Sequence, residues 1–302
     1  MSEPLRSKAD DPAALAIRVR DAQAIGDGLP PLLIAAERVA ATVAQGIHGR
    51  RRTGTGESFW QYRPYSEQDN SHSIDWRRSA RSDSLFVRES EWEASQSVWL
   101  WCDGSPSMDY RSKPVRDTKR DRAQLLMFAT AEALLRGGER IGLLGVDGRA
   151  SGGKARLRAL AERFYSMADT ESGMPPAANL PKHSQAILFS DFLSPIEDLE
   201  ARFSEFAEQH VRGIAVQVLD PAEEELPFSG RVRFHGLEDE GHFLAEKVEQ
   251  LRPGYKNRLL AHRTALRRIA RASGWDLLVH HSGTSAEAGM MALFIALTEA
   301  RG

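Results

Sequence analysis

Residues 98–102, Val-Trp-Leu-Trp-Cys, form an uninterrupted apolar run that stops abruptly at Asp103-Gly104-Ser105-Pro106-Ser107-Met108. A run of that length without polar alternation fits a strand covered on both faces, which points to folds built on a buried, mostly parallel sheet. A carboxylate and two hydroxyls just past the strand then fall on the carboxyl rim of the sheet, where open α/β folds place their ligands. Asp103, Ser105 and Ser107 are hard oxygen donors within one turn. Mg2+ prefers such donors while keeping some of its waters.

A second apolar run, Ala186-Ile187-Leu188-Phe189-Ser190, also ends in a carboxylate, Asp191. Two parallel strands that both finish in Asp bring these groups to one rim, and carboxylates gathered without compensation are costly. A divalent cation shared by Asp103 and Asp191 is the simplest compensation. Asp, Gly, Ser and Pro are also what a helix-capping turn requires, so a purely structural role for 103–107 stays open on local pattern.

From Leu85 onward the pattern alternates between strands and helices. Strands are predicted near 85–88, 97–102, 140–146, 186–190, 213–219 and 275–280, and helices near 117–136, 154–166, 195–210, 255–273 and 286–299. Gly137-Gly138 and Gly274 stand where helices end. The alternation predicts an α/β fold with a mostly parallel sheet and helices on both faces. Residues 221–253 read as an insertion or an edge hairpin. Upstream, 1–11 reads as disordered, a helix is expected within 12–25 and another over 32–44, and 46–58 is a Gly/Arg/Thr loop. Residues 59–83 read as an irregular aromatic and charged segment with short strands. The chain therefore divides into an N-terminal tail with helices (1–45), an Arg/aromatic segment (46–92) and an α/β domain (93–302).

Composition narrows the function classes. A net charge of −2 in 302 residues gives no global pull toward nucleic acid or anionic membrane. The single cysteine, Cys102, lies within the apolar run and cannot form an internal disulfide, in keeping with a reducing compartment. No apolar stretch approaches the roughly 20 residues of a membrane span, and no signal-peptide segment follows the polar start. The expectation is a cytoplasmic protein without direct membrane insertion.

Three rival chemistries fit poorly. The Gly/Arg-rich segment 48–56 lacks a Gly-Lys-Ser/Thr ending and follows a helix, so it is not a phosphate loop. A phosphohydrolase using Asp103 as nucleophile lacks the expected second Asp, the position being Ser105, and neither His183 nor His281 completes a Ser/His/Asp set. The arginines between 45 and 90 are nearly balanced by carboxylates, which argues against a nucleic-acid track.

The motifs Gly54-x-Gly56-x-x-Phe59-x-x-x-Arg63-x-Tyr65, Ile74-Asp75-Trp76-Arg77-x-Ser79-Ala80-Arg81, Leu85-x-Val87-Arg88-Glu89 and Asp103-x-Ser105-x-Ser107-Met108 together resemble the domain-of-unknown-function family DUF 58, over roughly 45–300. The resemblance implies a von Willebrand factor A-like domain with a metal-ion-dependent adhesion site on Asp103, Ser105 and Ser107. Asp191 matches the carboxylate of a later loop, and Thr170 is the nearest candidate for the threonine of the middle loop. Mg2+ is the implied ion, with Mn2+ and Ca2+ as alternatives. A MoxR-type AAA+ ATPase is the implied partner, and an acidic side chain of a partner would complete the ion's shell. Arg63, Asp75, Trp76 and Arg81 are expected to organise the segment before the sheet or to touch the partner. The family's Gly-Asp-Asp-x-Arg is replaced here by Gln68-Asp69-Asn70-Ser71-His72. The resulting expectation is a non-enzymatic interaction module, with a phosphohydrolase or a metal-free structural domain as alternatives.

Overall fold

The computed structural model describes residues 33–44, 59–65, 79, 85–90, 96–153, 155–166, 173–237 and 241–299. They fall into two compact units, one of residues 46–95 and the other of 1–45 together with 96–302.

In the smaller unit, β1 (Phe59–Pro64) and β2 (Phe86–Ser90) form an antiparallel ribbon. The Tyr65 N–H donates to the Leu85 carbonyl at 2.8 Å, and the Phe86 N–H donates to the buried Ser79 hydroxyl at 2.9 Å. The strand predicted near 85–88 thus pairs with β1 rather than joining the parallel sheet.

The larger unit begins, among described residues, with helix α1 over 33–44, whose Ala36, Val39, Ala40 and Val43 are buried at helical spacing. Then follow β3 (Ser97–Cys102), α2 (Lys119–Arg136), β4 (Arg140–Leu143), α3 (Arg156–Ser166), β5 (Gln185–Ser190), α4 (Ile196–Glu208), β6 (Arg212–Leu219) and α5 (Pro221–Glu225). The chain continues through β7 (Val232–His235), β8 (His242–Ala245), α6 (Val248–Ala272), β9 (Trp275–His281) and α7 (Ala286–Glu299). Five strands form an all-parallel sheet in the order β4-β3-β5-β6-β9.

Both faces of that sheet are covered, as the unbroken apolar strands require. Trp99, Trp101, Ala186, Leu188 and Ala215 share one core with Leu199, Phe203 and Phe206 of α4 and Leu266 and Ile269 of α6. The intervening strand residues Val98, Leu100, Ile187, Phe189, Ile214 and Val216 are buried on the opposite face, by the twofold alternation of a strand. There α2 packs against β3 through β6, with α7 beside it. β4 and β5 flank β3, so the chain reverses its direction of travel across the sheet between β3 and β5. Such a reversal opens a crevice beyond the strand ends, where doubly wound folds bind ligands.

Several boundaries differ from the sequence expectation. β4 stops at Leu143 rather than 146, because the Asp147 carboxylate takes the Leu143 N–H at 2.8 Å and Gly145 turns with a φ of 75°. α6 starts at Val248 instead of 255 and carries Pro253 inside it. Proline normally ends a helix. Here fully buried Val248 packs with Leu226 and Ala245, and Arg252 donates to the carbonyls of Leu226 and Phe228, so tertiary contacts hold the extra turns. β7 and β8 form a separate two-stranded sheet, not an edge of the main one. The single turn α5 has no counterpart in the predicted elements. The expected disorder of 1–11 and the expected helix within 12–25 lie outside the described residues. Among the described residues, no helix is long and apolar enough to cross a membrane.

Candidate functional site

Asp103 leaves β3 with its N–H bonded to the Phe189 carbonyl at 2.8 Å, in a register that pairs Cys102 with Phe189. The two strand ends bearing Asp103 and Asp191 are therefore neighbours. Asp103 is 1% exposed; its Oδ1 accepts the Ser105 N–H at 2.7 Å and its Oδ2 accepts the Ser190 hydroxyl at 2.6 Å. The Ser105 and Ser107 hydroxyl oxygens lie 3.0 Å apart, and Ser107 donates to Asp191 Oδ2 at 2.8 Å. Asp191 Oδ1 accepts the Leu193 N–H at 3.1 Å. Phe192 holds this turn with a φ of 50°, a left-handed backbone uncommon for a bulky residue, and His262 hydrogen-bonds its carbonyl at 2.6 Å. The Asp-x-Ser-x-Ser turn and the second strand end thus form one connected set of oxygen atoms.

The structure adds a cation that sequence reasoning did not place there. Lys119, at the first turn of α2, is fully buried; its Nζ donates to Asp191 Oδ2 at 2.8 Å and to Glu223 Oε1 at 2.6 Å. Burial alone would push this ammonium down, but Asp191 and Glu223 outweigh it and hold Lys119 above its ordinary value. Burial raises Asp103, against the opposing hydrogen bonds from Ser190 and Ser105. Glu223 is likewise raised by burial, against the pull of Lys119. Lys119 thus faces two carboxylates at once, and with all three groups ionised this trio carries one net negative charge. Arg120 fixes the loop from the side, donating to the Ser105 carbonyl at 2.9 Å and pairing with Asp109.

A small space adjoins these oxygens. A methyl group placed on Gly173 would sit 3.4 Å from the hydroxyls of Ser105 and Ser194 and 3.6 Å from Asp103 Oδ2. It opens into a cleft of about 380 Å³ bordered by Ser105, Ser107, Asp191 and Glu223. Hydroxyls and carboxylates around a space free of side-chain atoms suit a hard, partly hydrated dication. Among the described residues, no three His, Cys, Asp or Glu side chains converge as a metal cluster, so such a site depends on its serines.

The structure brings Asp103, Ser105, Ser107 and Asp191 together. Thr170, Asp75, Trp76 and Arg81 lie outside the described residues, and Arg63 sits on β1 opposite Val87. Lys119, Ser190, Gly173 and Glu223 are not assigned to the site by the sequence. Two capping boxes are the legible trace of two of them: Thr118 with Asp121 opens α2 beside Lys119, and Asp220 with Glu223 opens α5. Both Asp103 carboxylate oxygens accept hydrogen bonds, and the residue is buried. Buried Cys102 has its thiol pushed up by burial and belongs to the core.

The profile of the family described as "Protein of unknown function DUF58" matches residues 61–265, which include the last four residues of β1, the Asp103 turn and the Asp191 strand end. The chain belongs to the DUF58 family. This DUF58 protein is 28% identical over 253 residues to uncharacterized proteins of Mycobacterium tuberculosis and Mycobacterium bovis, covering 78% of the chain and 78% of each relative. Among solved structures, it is similar to the conserved hypothetical protein BatB from Bacteroides thetaiotaomicron, with 12% identity and a TM-score of 0.40 over 68% of this chain and 100% of that one. An aerotolerance-related membrane protein from Bacteroides fragilis gives 14% identity and a TM-score of 0.40 over the same shares.

Proposed function

We propose that this DUF58 protein is a non-enzymatic interaction module, a von Willebrand factor A-like domain whose contact face is the carboxyl rim between β3 and β5. The observation that carries this reading is the continuous oxygen set of Asp103, Ser105, Ser107 and Asp191 at the point where strand order reverses. Ser105 and Ser107 would hold Mg2+ directly, with Asp103 and Asp191 as direct or water-mediated ligands; Mn2+ and Ca2+ are the alternatives. The ion would supply an open position for an acidic side chain of a partner. The chain's own residues orient the donors: Ser190 and the Ser105 N–H hold Asp103, Lys119 and the Leu193 N–H hold Asp191, and Arg120 holds the loop carbonyl. Adaptor to a MoxR-type AAA+ ATPase, in the cytoplasm, is the role proposed for that face.

Calorimetry with Mg2+ and Mn2+ tests the site, and binding to a MoxR-type ATPase with Mg2+ or EDTA tests its use. Metal heat that disappears in Ser105→Ala, together with partner binding lost in EDTA, is the expected result. Equal partner affinity in both conditions removes the metal from the mechanism. Absence of metal heat leaves Lys119 as the resident cation of a purely structural turn.

A further inference from the structure

The oxygen-lined cleft has an apolar neighbour. Beside it lies a second cleft of about 330 Å³, walled by Phe228, Phe234, Phe243, Leu251 and Tyr255. The two share Tyr110 and Glu223 as common walls. They also share one piece of chain: Phe234 lines the apolar cleft, while the next three residues, His235, Gly236 and Leu237, line the polar one. The β7–β8 ribbon that carries them has a core of its own with Leu226, Ala245 and Val248, so its inner face is anchored. On that same face Phe243, the cross-strand partner of Phe234, is left uncovered at 57% exposed, and Leu251, which also lines the cleft, is 40% exposed. Large apolar side chains exposed in a row beside a charged site mark recognition surfaces more often than chance.

We propose that the rim reads two adjacent features of one partner segment: an acidic side chain at the oxygen cleft and an aromatic or large aliphatic side chain in the Phe-lined cleft. This rests on the metal-dependent reading of the rim, and it adds the partner's chemistry. The acid is called for by an ion with an open position; the apolar residue is called for by the cleft that shares its walls. Glu223, on the border, pairs at 2.6 Å with Lys119, an ammonium it shares with Asp191, so its charge is partly offset toward an incoming carboxylate. A segment bearing only the acid leaves the aromatic cleft wet. A segment bearing only the aromatic leaves the rim oxygens without their counterpart.

The test uses the full chain and blocked synthetic hexapeptides containing one Asp and one Phe, set zero to three residues apart in an otherwise Ala/Gly background. Matched peptides replace Phe by Ala or Asp by Asn, and titrations are run in Mg2+ and in EDTA. The expected result is one spacing that binds in Mg2+ about tenfold or more tighter than either matched peptide. Phe243→Ser and Leu251→Ser, both at exposed positions, should abolish the gain from Phe while leaving binding of the Asp-only peptide unchanged. If Mg2+-dependent binding of the Asp peptides occurs with no gain from Phe at any spacing, or the gain survives Phe243→Ser, the two-feature inference falls and the metal reading stands. If binding is the same in EDTA or with Asn for Asp, the metal reading falls and the inference falls with it. If no peptide binds below about 5 mM while Mg2+ itself gives a calorimetric signal, the inference alone is overturned.

Discussion

Lys119 Nζ and Asp191 Oδ2 are 2.8 Å apart with side chains 1% and 4% exposed, an ion pair closed off from water at the rim of the sheet. The pair joins the start of α2 to the end of β5, and through Glu223 it reaches α5 as well. A buried pair of this kind is weak evidence for stability as such, but removing one partner leaves the other charge uncompensated. Lys119→Met is expected to cost about 3–5 kcal/mol in urea unfolding measured in EDTA. Mg2+ should recover part of that loss by binding the folded state alone, so the stabilisation by Mg2+ becomes larger in the variant than in the native chain. Identical Mg2+ effects in the two proteins would count against a shared site.

Ser107 and Lys119 donate to the same atom, Asp191 Oδ2. Ser107→Ala alone should cost about 1 kcal/mol, because Lys119 still satisfies the carboxylate. The double variant should depart from additivity by about 1 kcal/mol, since each donor is worth more when the other is missing. Four urea titrations complete the cycle.

Gly173→Ala separates the site from the fold. The added methyl meets oxygen atoms at 3.4–3.6 Å, ordinary contact distances at worst slightly tight, so the melting temperature should stay within about 3 °C. The same methyl occupies the space in front of Ser105 and Asp103. Affinity for Mg2+ should fall at least about tenfold, a change of about 1.4 kcal/mol read by calorimetry.

Acid sensitivity should come in part from His280, on β9. It is 6% exposed; burial first, then Arg122 and His281, press its imidazole down to about 4. Its Nε2 has no hydrogen-bond partner among the described residues. A histidine lowered in the folded state binds fewer protons there than in the unfolded chain. Its contribution is therefore complete above about pH 6.5 and is lost as pH falls from there toward 4. The size is about 3 kcal/mol. His280→Asn should flatten the stability–pH curve between pH 7 and 4.5 relative to the native chain, as measured by urea midpoints.

Much of the main unit was legible because burial writes itself into short stretches of sequence. The runs ending at Asp103 and Asp191 are apolar throughout but for Ser190, and they became β3 and β5, buried on both faces. α7 spans 286–299 as its pattern predicts, and α2 begins only two residues inside its predicted start. Reading failed where a local signal was outvoted by distant contacts. The helix expected from 255 instead starts at Val248, because Val248, Arg252 and their partners near 226–228 hold it back past Pro253. The strand near 85–88 had the composition of its neighbours, and only pairing with 59–64 decided its sheet.

By itself the sequence determined that the runs before Asp103 and Asp191 become buried strands, and that hard oxygen donors gather just past both of their ends. Periodicity and composition report on a residue's own surroundings, so these facts need no knowledge of the rest of the chain. Tertiary structure alone decided that β5 lies beside β3, bringing Asp103 and Asp191 onto the same rim. It alone placed Lys119 between Asp191 and Glu223, partners 72 and 104 residues away. It also set Gly173 against the oxygens and allowed β5 to pair with β6 at Gly213, where a Cβ would stand 2.0 Å from the Ala186 carbonyl oxygen. Such choices depend on which surfaces meet after the chain has collapsed, and no window of neighbouring residues contains that information.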